Sequence, residues 1–232
     1  MKTYVYGDSF SNTLECKCEP GEMWYAPFVQ GDLVDRTRRG SSTDEAFLLM
    51  HHDAICDPGA RFLFGTGAMY SRLTTYTDGL YDKETVREHS TIEDCLEFFS
   101  TQGFDDHNED AVKIMHPDMF HHTLVWTRYL TQVILTASLL PPTSSWLVVH
   151  MHCDRDEWQS PHHPMVKPLL QRISGIPNYI DQQHSCFNLC RDHGVRAVDW
   201  QEYGEHGHQG PEGQRLFGEH IKQIINERGL WN

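Results

Sequence analysis

The stretch Tyr4-Val5-Tyr6-Gly7-Asp8-Ser9-Phe10-Ser11 decides the fold of this chain. Its first residues are β-prone, so a strand is predicted from Thr3 to Tyr6, and the strand stops at Gly7-Asp8-Ser9, a turn signal. Ser9 therefore follows a strand directly. Its hydroxyl is expected at the edge of a sheet, where it is open to reaction.

Strand-like and helix-like segments alternate along the rest of the chain. This alternation predicts an α/β fold with a mostly parallel sheet covered on both faces. The 232 residues suit one domain, 1–232, with an acidic, weakly periodic insertion at about 74–118. The remaining strands are predicted at 31–37, 61–64, 146–150 and 195–198, and helices at 121–139, 180–193 and 211–228, with one more helix starting near residue 41.

Charge and composition restrict the partners. The formal net charge of -14 argues against a nucleic acid or an anionic membrane, because both require a positive face. No apolar run reaches the length of a membrane span. The first motif begins too early to leave room for a signal peptide, and the seven cysteines are irregularly spaced. A reduced, cytoplasmic protein is expected.

Polar loops follow several of the predicted strands. In parallel sheets, sites form in the crevice at the carboxyl ends of the strands. Here Gly7-Asp8-Ser9, Arg39-Gly40-Ser41 and Gly65-Thr66-Gly67 all lie at that edge, and the loop after Val198 is a fourth. We therefore look for chemistry in these loops.

Ser9 needs a base, because a serine hydroxyl is a weak nucleophile until its proton is accepted. The base works best when a third group orients it. A candidate pair stands before the final helix, where Glu205 precedes His208 by three residues. Asp199 is the substitute for Glu205 as the orienting carboxylate.

These two segments resemble the GDSL/SGNH hydrolase family, which has an N-terminal Gly-Asp-Ser and a C-terminal Asp-x-x-His. In that family a glycine follows the histidine by five residues, and Gly213 selects His208 over His206. Glu205 then occupies the position of the aspartate, which is a departure. The resemblance implies a flavodoxin-like three-layer sandwich.

The resemblance also implies an oxyanion hole formed by backbone N–H groups of Ser9 and Gly40. The segment around Gly40 is similar to ones in bacteriophage members of the family, which implies a viral source and a place in the host cytoplasm or the virion. The family's third block, Gly-x-Asn-Asp, differs here, since Gly67 stands where asparagine belongs. A replacement donor could come from the hydroxyl of Thr66 or from the insertion after Gly67. Loss of one such donor typically costs roughly 100- to 1,000-fold in turnover.

The activity implied by the resemblance is ester cleavage through an acyl-enzyme, on a small-molecule or acylated-carbohydrate ester, without a cofactor. The alternative is an inactive binding or virion-associated protein with the same fold, which the missing asparagine motivates. The sixteen histidines suggest a metal, but no residue set has the paired spacing of a structural zinc site. No metal is expected.

Overall fold

The computed structural model describes residues 1–37, 43–67, 73–74, 88–89, 122–140, 145–152, 166–204 and 207–231. Strands and helices both occur along the described chain, and short 3-10 turns connect the first two strands. The strands are β1 (Lys2–Gly7), β2 (Asp32–Asp35), β3 (Arg61–Thr66), β4 (Leu73–Thr74), β5 (Glu88–His89) and β6 (Trp146–His150). The helices are α1 (Thr43–Cys56), α2 (His122–Leu139), α3 (Val166–Ile173), α4 (Cys186–Asp192), α5 (Trp200–Tyr203) and α6 (Pro211–Glu227).

The central sheet is parallel, with strand order β2-β1-β3-β6. An isolated parallel bridge between Val148 and Tyr179 adds a fifth position beside β6. Together these positions give the 2-1-3-4-5 order of flavodoxin-like sheets. The predicted α/β fold is therefore confirmed.

Two apolar cores cover the two faces of this sheet, since successive strand residues point to opposite sides. Tyr4 and Tyr6 face the core that includes α1, α2 and α3. Val5 faces the other core, which includes α4 and α6. All residues of β3 and β6 are buried. The helices therefore sandwich the sheet in three layers.

The region after β6 differs from the sequence prediction of a helix at 180–193 followed by a strand at 195–198. The helix α4 begins only at Cys186, because the Ser185 side chain accepts the N–H of Asn188 and caps it. A short 3-10 turn, Gln182–His184, precedes it. Residues 195–198 form no strand, and the backbone N–H of Val198 donates instead to the carbonyl of His208.

Most of the predicted insertion at 74–118 lies outside the described residues. At its start, β4 and β5 pair antiparallel as a separate two-stranded sheet. Among the helices that the structure describes, none has the length and apolar character needed to cross a membrane.

Candidate active site

Ser9 lies at the carboxyl end of β1, as its position after the strand predicts. It opens a 3-10 turn, Ser9–Ser11, and Asp8 caps that turn by accepting the N–H of Phe10 at 3.0 Å. Ser9 is 5% exposed. No described residue accepts a hydrogen bond from the backbone N–H of Ser9. The turn thus holds a serine with an available N–H at the sheet edge.

Two glycines make room for this turn. A Cβ on Gly7 would lie 2.7 Å from the Cβ of Ser11, and a Cβ on Gly65 would lie 2.3 Å from the Oγ of Ser11. The Ser11 hydroxyl sits between them, donates to the Gly65 carbonyl at 3.4 Å and accepts the Trp24 indole N–H at 3.3 Å. The glycines therefore let the Ser9 turn fold back against the ends of β1 and β3.

His208 is held by Asp199. The Asp199 Oδ2 lies 2.5 Å from Nδ1 of His208, and Oδ1 accepts the His208 backbone N–H at 2.7 Å. A carboxylate accepts, so Nδ1 carries the proton and Nε2 is the nitrogen with the lone pair. Both side chains are 15% exposed. The arrangement fixes the tautomer that a general base requires.

The pKa of Asp199 reflects the same contact. Burial alone would raise this pKa, but the hydrogen bonds from His208 outweigh burial, so the pKa lies below its ordinary value. Asp199 is therefore ionised at neutral pH. An ionised carboxylate stabilises the imidazolium that forms when His208 accepts a proton.

Gly207 makes the close approach of Asp199 possible. A Cβ on Gly207 would lie 2.1 Å from Oδ1 of Asp199 and 2.8 Å from the Cβ of Ala197. Any side chain at position 207 would therefore displace the carboxylate from the His208 backbone. This steric conflict explains why position 207 is a glycine, which the sequence alone did not reveal.

Phe10 connects the serine turn to the histidine. Its ring stacks on the His208 imidazole, with centroids 4.7 Å apart and an interplanar angle of 28°. The Phe10 ring also stacks on His152, with centroids 4.6 Å apart. The residue next to Ser9 is thus in direct contact with the base candidate, although 199 positions separate Ser9 from His208 in the sequence.

Gln214, which sequence reasoning missed, ties the same two loops together from α6. Its fully buried side chain donates from Nε2 to the carbonyls of Phe10 at 3.1 Å and Gln209 at 3.2 Å. Its Oε1 accepts the backbone N–H of Trp24 at 3.2 Å. The amide therefore holds the Ser9 turn and the His208 loop in a fixed relation. The only sequence signal for Gln214 was its position next to Gly213.

The two described oxyanion candidates, Thr66 at the end of β3 and Gly67 directly after it, have other surroundings than the sequence suggested. Thr66 is fully buried, and its hydroxyl donates to the Val149 carbonyl at 3.0 Å, so it is not available to a substrate oxygen. A Cβ on Gly67 would lie only 1.6 Å from Oδ2 of Asp8. The Asp8 carboxylate fills the space that an asparagine at position 67 would need. An asparagine at position 67 is therefore excluded for a steric reason.

The other predicted site residues, Gly40 and Glu205, lie outside the described residues. In the structure, the carboxylate that contacts His208 is Asp199, the substitute candidate. The sequence signal for Asp199 was its place in the loop after Val198. In the described part of the chain, no three His, Cys, Asp or Glu side chains are grouped as a metal site would require.

Comparison with known proteins identifies similar solved structures. No family model matches the chain, and no curated protein matches it significantly. One similar structure is a lipase from a goat rumen metagenome, with 11% identity, 97% of each chain covered and a TM-score of 0.48.

Two further structures span nearly the whole chain. A putative lipolytic protein of the G-D-S-L family from Desulfitobacterium hafniense is 11% identical, covers 96% of this chain and 98% of its own, and has a TM-score of 0.45. A mutant of an acetyl-xylooligosaccharide esterase from Geobacillus is 13% identical, covers 97% and 93%, and has a TM-score of 0.46. By their descriptions, these three neighbours are a lipase, a putative lipolytic protein and an esterase mutant.

Proposed function

We propose that this protein is a serine hydrolase that cleaves carboxylic esters through an acyl-enzyme. The observation that carries the proposal is that His208, held by Asp199, stacks on Phe10, the residue that follows Ser9 in the sequence. A strand-end serine, a histidine in a fixed tautomer and an ionised carboxylate are the three groups that nucleophilic ester cleavage requires.

In the first step, Ser9 Oγ attacks the ester carbonyl carbon while Nε2 of His208 takes the hydroxyl proton. The tetrahedral intermediate collapses, the C–O bond to the alcohol breaks, and His208 returns the proton to the departing oxygen. In the second step, water attacks the acyl-serine with His208 again as base. The acid leaves, and Ser9 regains its proton.

The oxyanion of the intermediate needs hydrogen-bond donors at fixed positions. The backbone N–H of Ser9 is one donor, and that of Gly40 is proposed as the second. Because Asp8 occupies the space beside Gly67, no asparagine at position 67 adds a third. We therefore expect slow turnover, in line with the cost of one missing donor.

The substrate class is a small-molecule or acylated-carbohydrate ester. The proposal is tested by hydrolysis of p-nitrophenyl acetate and butyrate by the purified protein and two serine variants. Ser9→Ala should abolish turnover, whereas Ser174→Ala, an exposed serine on the turn after α3, should keep it. Equal rates for Ser9→Ala and the wild type would contradict the proposal.

A second candidate function is favoured by the filled space beside Gly67. A chain with the same fold and only two oxyanion donors would serve as a binding protein without turnover, for example in a virion. This alternative predicts a folded wild type that hydrolyses no ester in the series and retains affinity for the intact ester.

A further inference from the structure

Gln214 makes the same kind of contact to both halves of the candidate site. Its side-chain Nε2 donates to the carbonyl of Phe10 at 3.1 Å and to the carbonyl of Gln209 at 3.2 Å. Phe10 follows Ser9 in the chain, and Gln209 follows His208. One amide nitrogen is therefore bonded to the residue after the candidate nucleophile and to the residue after the candidate base.

The Gln214 amide is itself fixed in position. The residue is fully buried in the first turns of α6, and its backbone N–H donates to the carbonyl of Gly210 at 2.9 Å. Its Oε1 accepts the backbone N–H of Trp24 at 3.2 Å, so the nitrogen end of the amide faces the two carbonyls. A buried side chain that is bonded at both ends keeps one orientation and can fix the position of its neighbours.

Cys16 extends this contact to Ser9 itself. The Gln214 Nε2 lies 3.3 Å from the Cys16 Sγ, which lies 3.5 Å from the Ser9 carbonyl oxygen and 3.4 Å from that of Phe10. Burial raises the pKa of the Cys16 thiol, so the thiol keeps its proton and donates it to these carbonyls. The peptide groups that follow the Ser9 N–H are therefore held from the side of α6.

Other hydrogen bonds hold each half of the site internally. Asp8 caps the Ser9 turn, and Asp199 holds both the ring and the backbone of His208. The Gln214 amide joins these two halves to each other. Their relative position matters because proton transfer from a serine to a histidine requires hydrogen-bond distance.

We propose that Gln214 is a positioning residue that sets the distance between the Ser9 hydroxyl and Nε2 of His208. This role rests on the proposed ester hydrolysis and adds to it a residue that touches neither the substrate nor the reacting atoms. A displacement of about 1 Å between catalytic groups can cost roughly 100-fold in rate, so the expected effect is large.

Variants of similar size change the number of hydrogens offered to the two carbonyls. The Gln214 amide supplies two, the carboxyl group of Gln214→Glu supplies one while burial keeps it protonated, and the thioether of Gln214→Met supplies none. We expect kcat per active site to fall in that order, by roughly 100-fold in Gln214→Met, with KM little changed. Gln223→Met, the same change at an exposed position of α6, should keep the wild-type kcat.

Two measurements separate misalignment from loss of folded protein. The fraction of molecules that a fluorophosphonate finally labels counts the active sites and converts each rate to a rate per site. The ¹H NMR signal of the Nδ1 proton of His208 reports its contact with Asp199, which should persist in both Gln214 variants. Gln214→Glu keeps the Trp24 contact and one hydrogen, so it provides the test if Gln214→Met does not fold.

The outcomes distinguish this role from the proposed function. Wild-type kcat per site in the Gln214 variants, together with hydrolysis that depends on Ser9, would overturn the positioning role and leave the esterase proposal standing. Loss of the Nδ1 signal along with kcat, or an equal loss of kcat in Gln223→Met, would also overturn it. A wild type that hydrolyses no ester would overturn the proposed function and the positioning role together.

Discussion

Asp199 contacts His208 twice, with one carboxylate oxygen on the ring Nδ1 at 2.5 Å and the other on the backbone N–H at 2.7 Å. The backbone contact fixes the loop, and the ring contact fixes the tautomer. A single carboxylate therefore both positions the base and supplies the charge that the imidazolium needs.

Replacement of Asp199 tests which of the two candidate carboxylates, Asp199 or Glu205, orients His208. Asp199→Asn should lower kcat by on the order of 10³- to 10⁴-fold, because the amide stabilises the wrong tautomer of His208. Glu205→Gln is the matched change at the other candidate and should leave kcat within a few fold of the wild-type value. Steady-state ester hydrolysis measures both, and the reverse pattern would assign the orienting role to Glu205.

A side chain at Gly207 should act through Asp199. Gly207→Ala places a Cβ 2.1 Å from the carboxylate Oδ1, so the carboxylate must move. We expect kcat to fall by roughly 100-fold, the cost typical of a misplaced catalytic group, with KM little changed.

The control for that variant is Gly21→Ala, since nothing lies within 4 Å of a Cβ there. It should retain full kcat. Active-site titration gives a second measurement, because loss of folded protein lowers the number of active sites, whereas a displaced carboxylate lowers kcat per site. Unchanged kcat in Gly207→Ala would contradict the proposed coupling.

Restoring the family's asparagine should impair the protein. Gly67→Asn would force its Cβ into the Asp8 carboxylate, 1.6 Å away, and disturb the cap on the Ser9 turn. We expect a loss of about 1–3 kcal/mol in the free energy of unfolding and lower kcat. Gly59→Ala, which has open space, is the control in both denaturant unfolding and ester hydrolysis. A gain in kcat would contradict this account of Gly67.

His150 makes stability depend on pH. Burial lowers its pKa from 6.5 to about 3, so the folded protein leaves it neutral while the unfolded chain binds a proton below pH 6.5. The contribution of neutral His150 to the free energy of unfolding is fully present above pH 6.5. It declines as the pH falls towards 3, by up to about 1.4 kcal/mol per pH unit.

The variant His150→Gln removes the titrating ring beside Tyr129 and Tyr179. Urea unfolding between pH 7 and pH 4.5 should therefore show a shallower pH dependence in the variant than in the wild type. Parallel curves for the two proteins would rule out this role of His150.

The fold was predictable to a large degree, because buried strands and punctuating glycines leave a local pattern. Trp146–His150 reads as a buried strand, and the structure has it there. The helix at 180–193 was overestimated, since its apolar residues also suit the extended segment around Tyr179 that pairs with β6. Periodicity alone does not distinguish these two outcomes.

The candidate site was predictable only in part. Ser9 and His208 stand in recognisable local motifs. Asp199 and Gln214 act across loops, and no local pattern encodes a contact over nine or 204 positions. The steric conflict between Asp8 and Gly67 likewise arises only when β1 and β3 lie side by side.

The central claim is that Ser9 is the nucleophile, and covalent labelling tests it most directly. Fluorophosphonate-treated protein is analysed by mass spectrometry, intact and after digestion. The account predicts one phosphonyl adduct, located on Ser9, formed in wild type and Ser174→Ala and absent in Ser9→Ala. An unlabelled wild type, or an adduct that persists in Ser9→Ala, would contradict it.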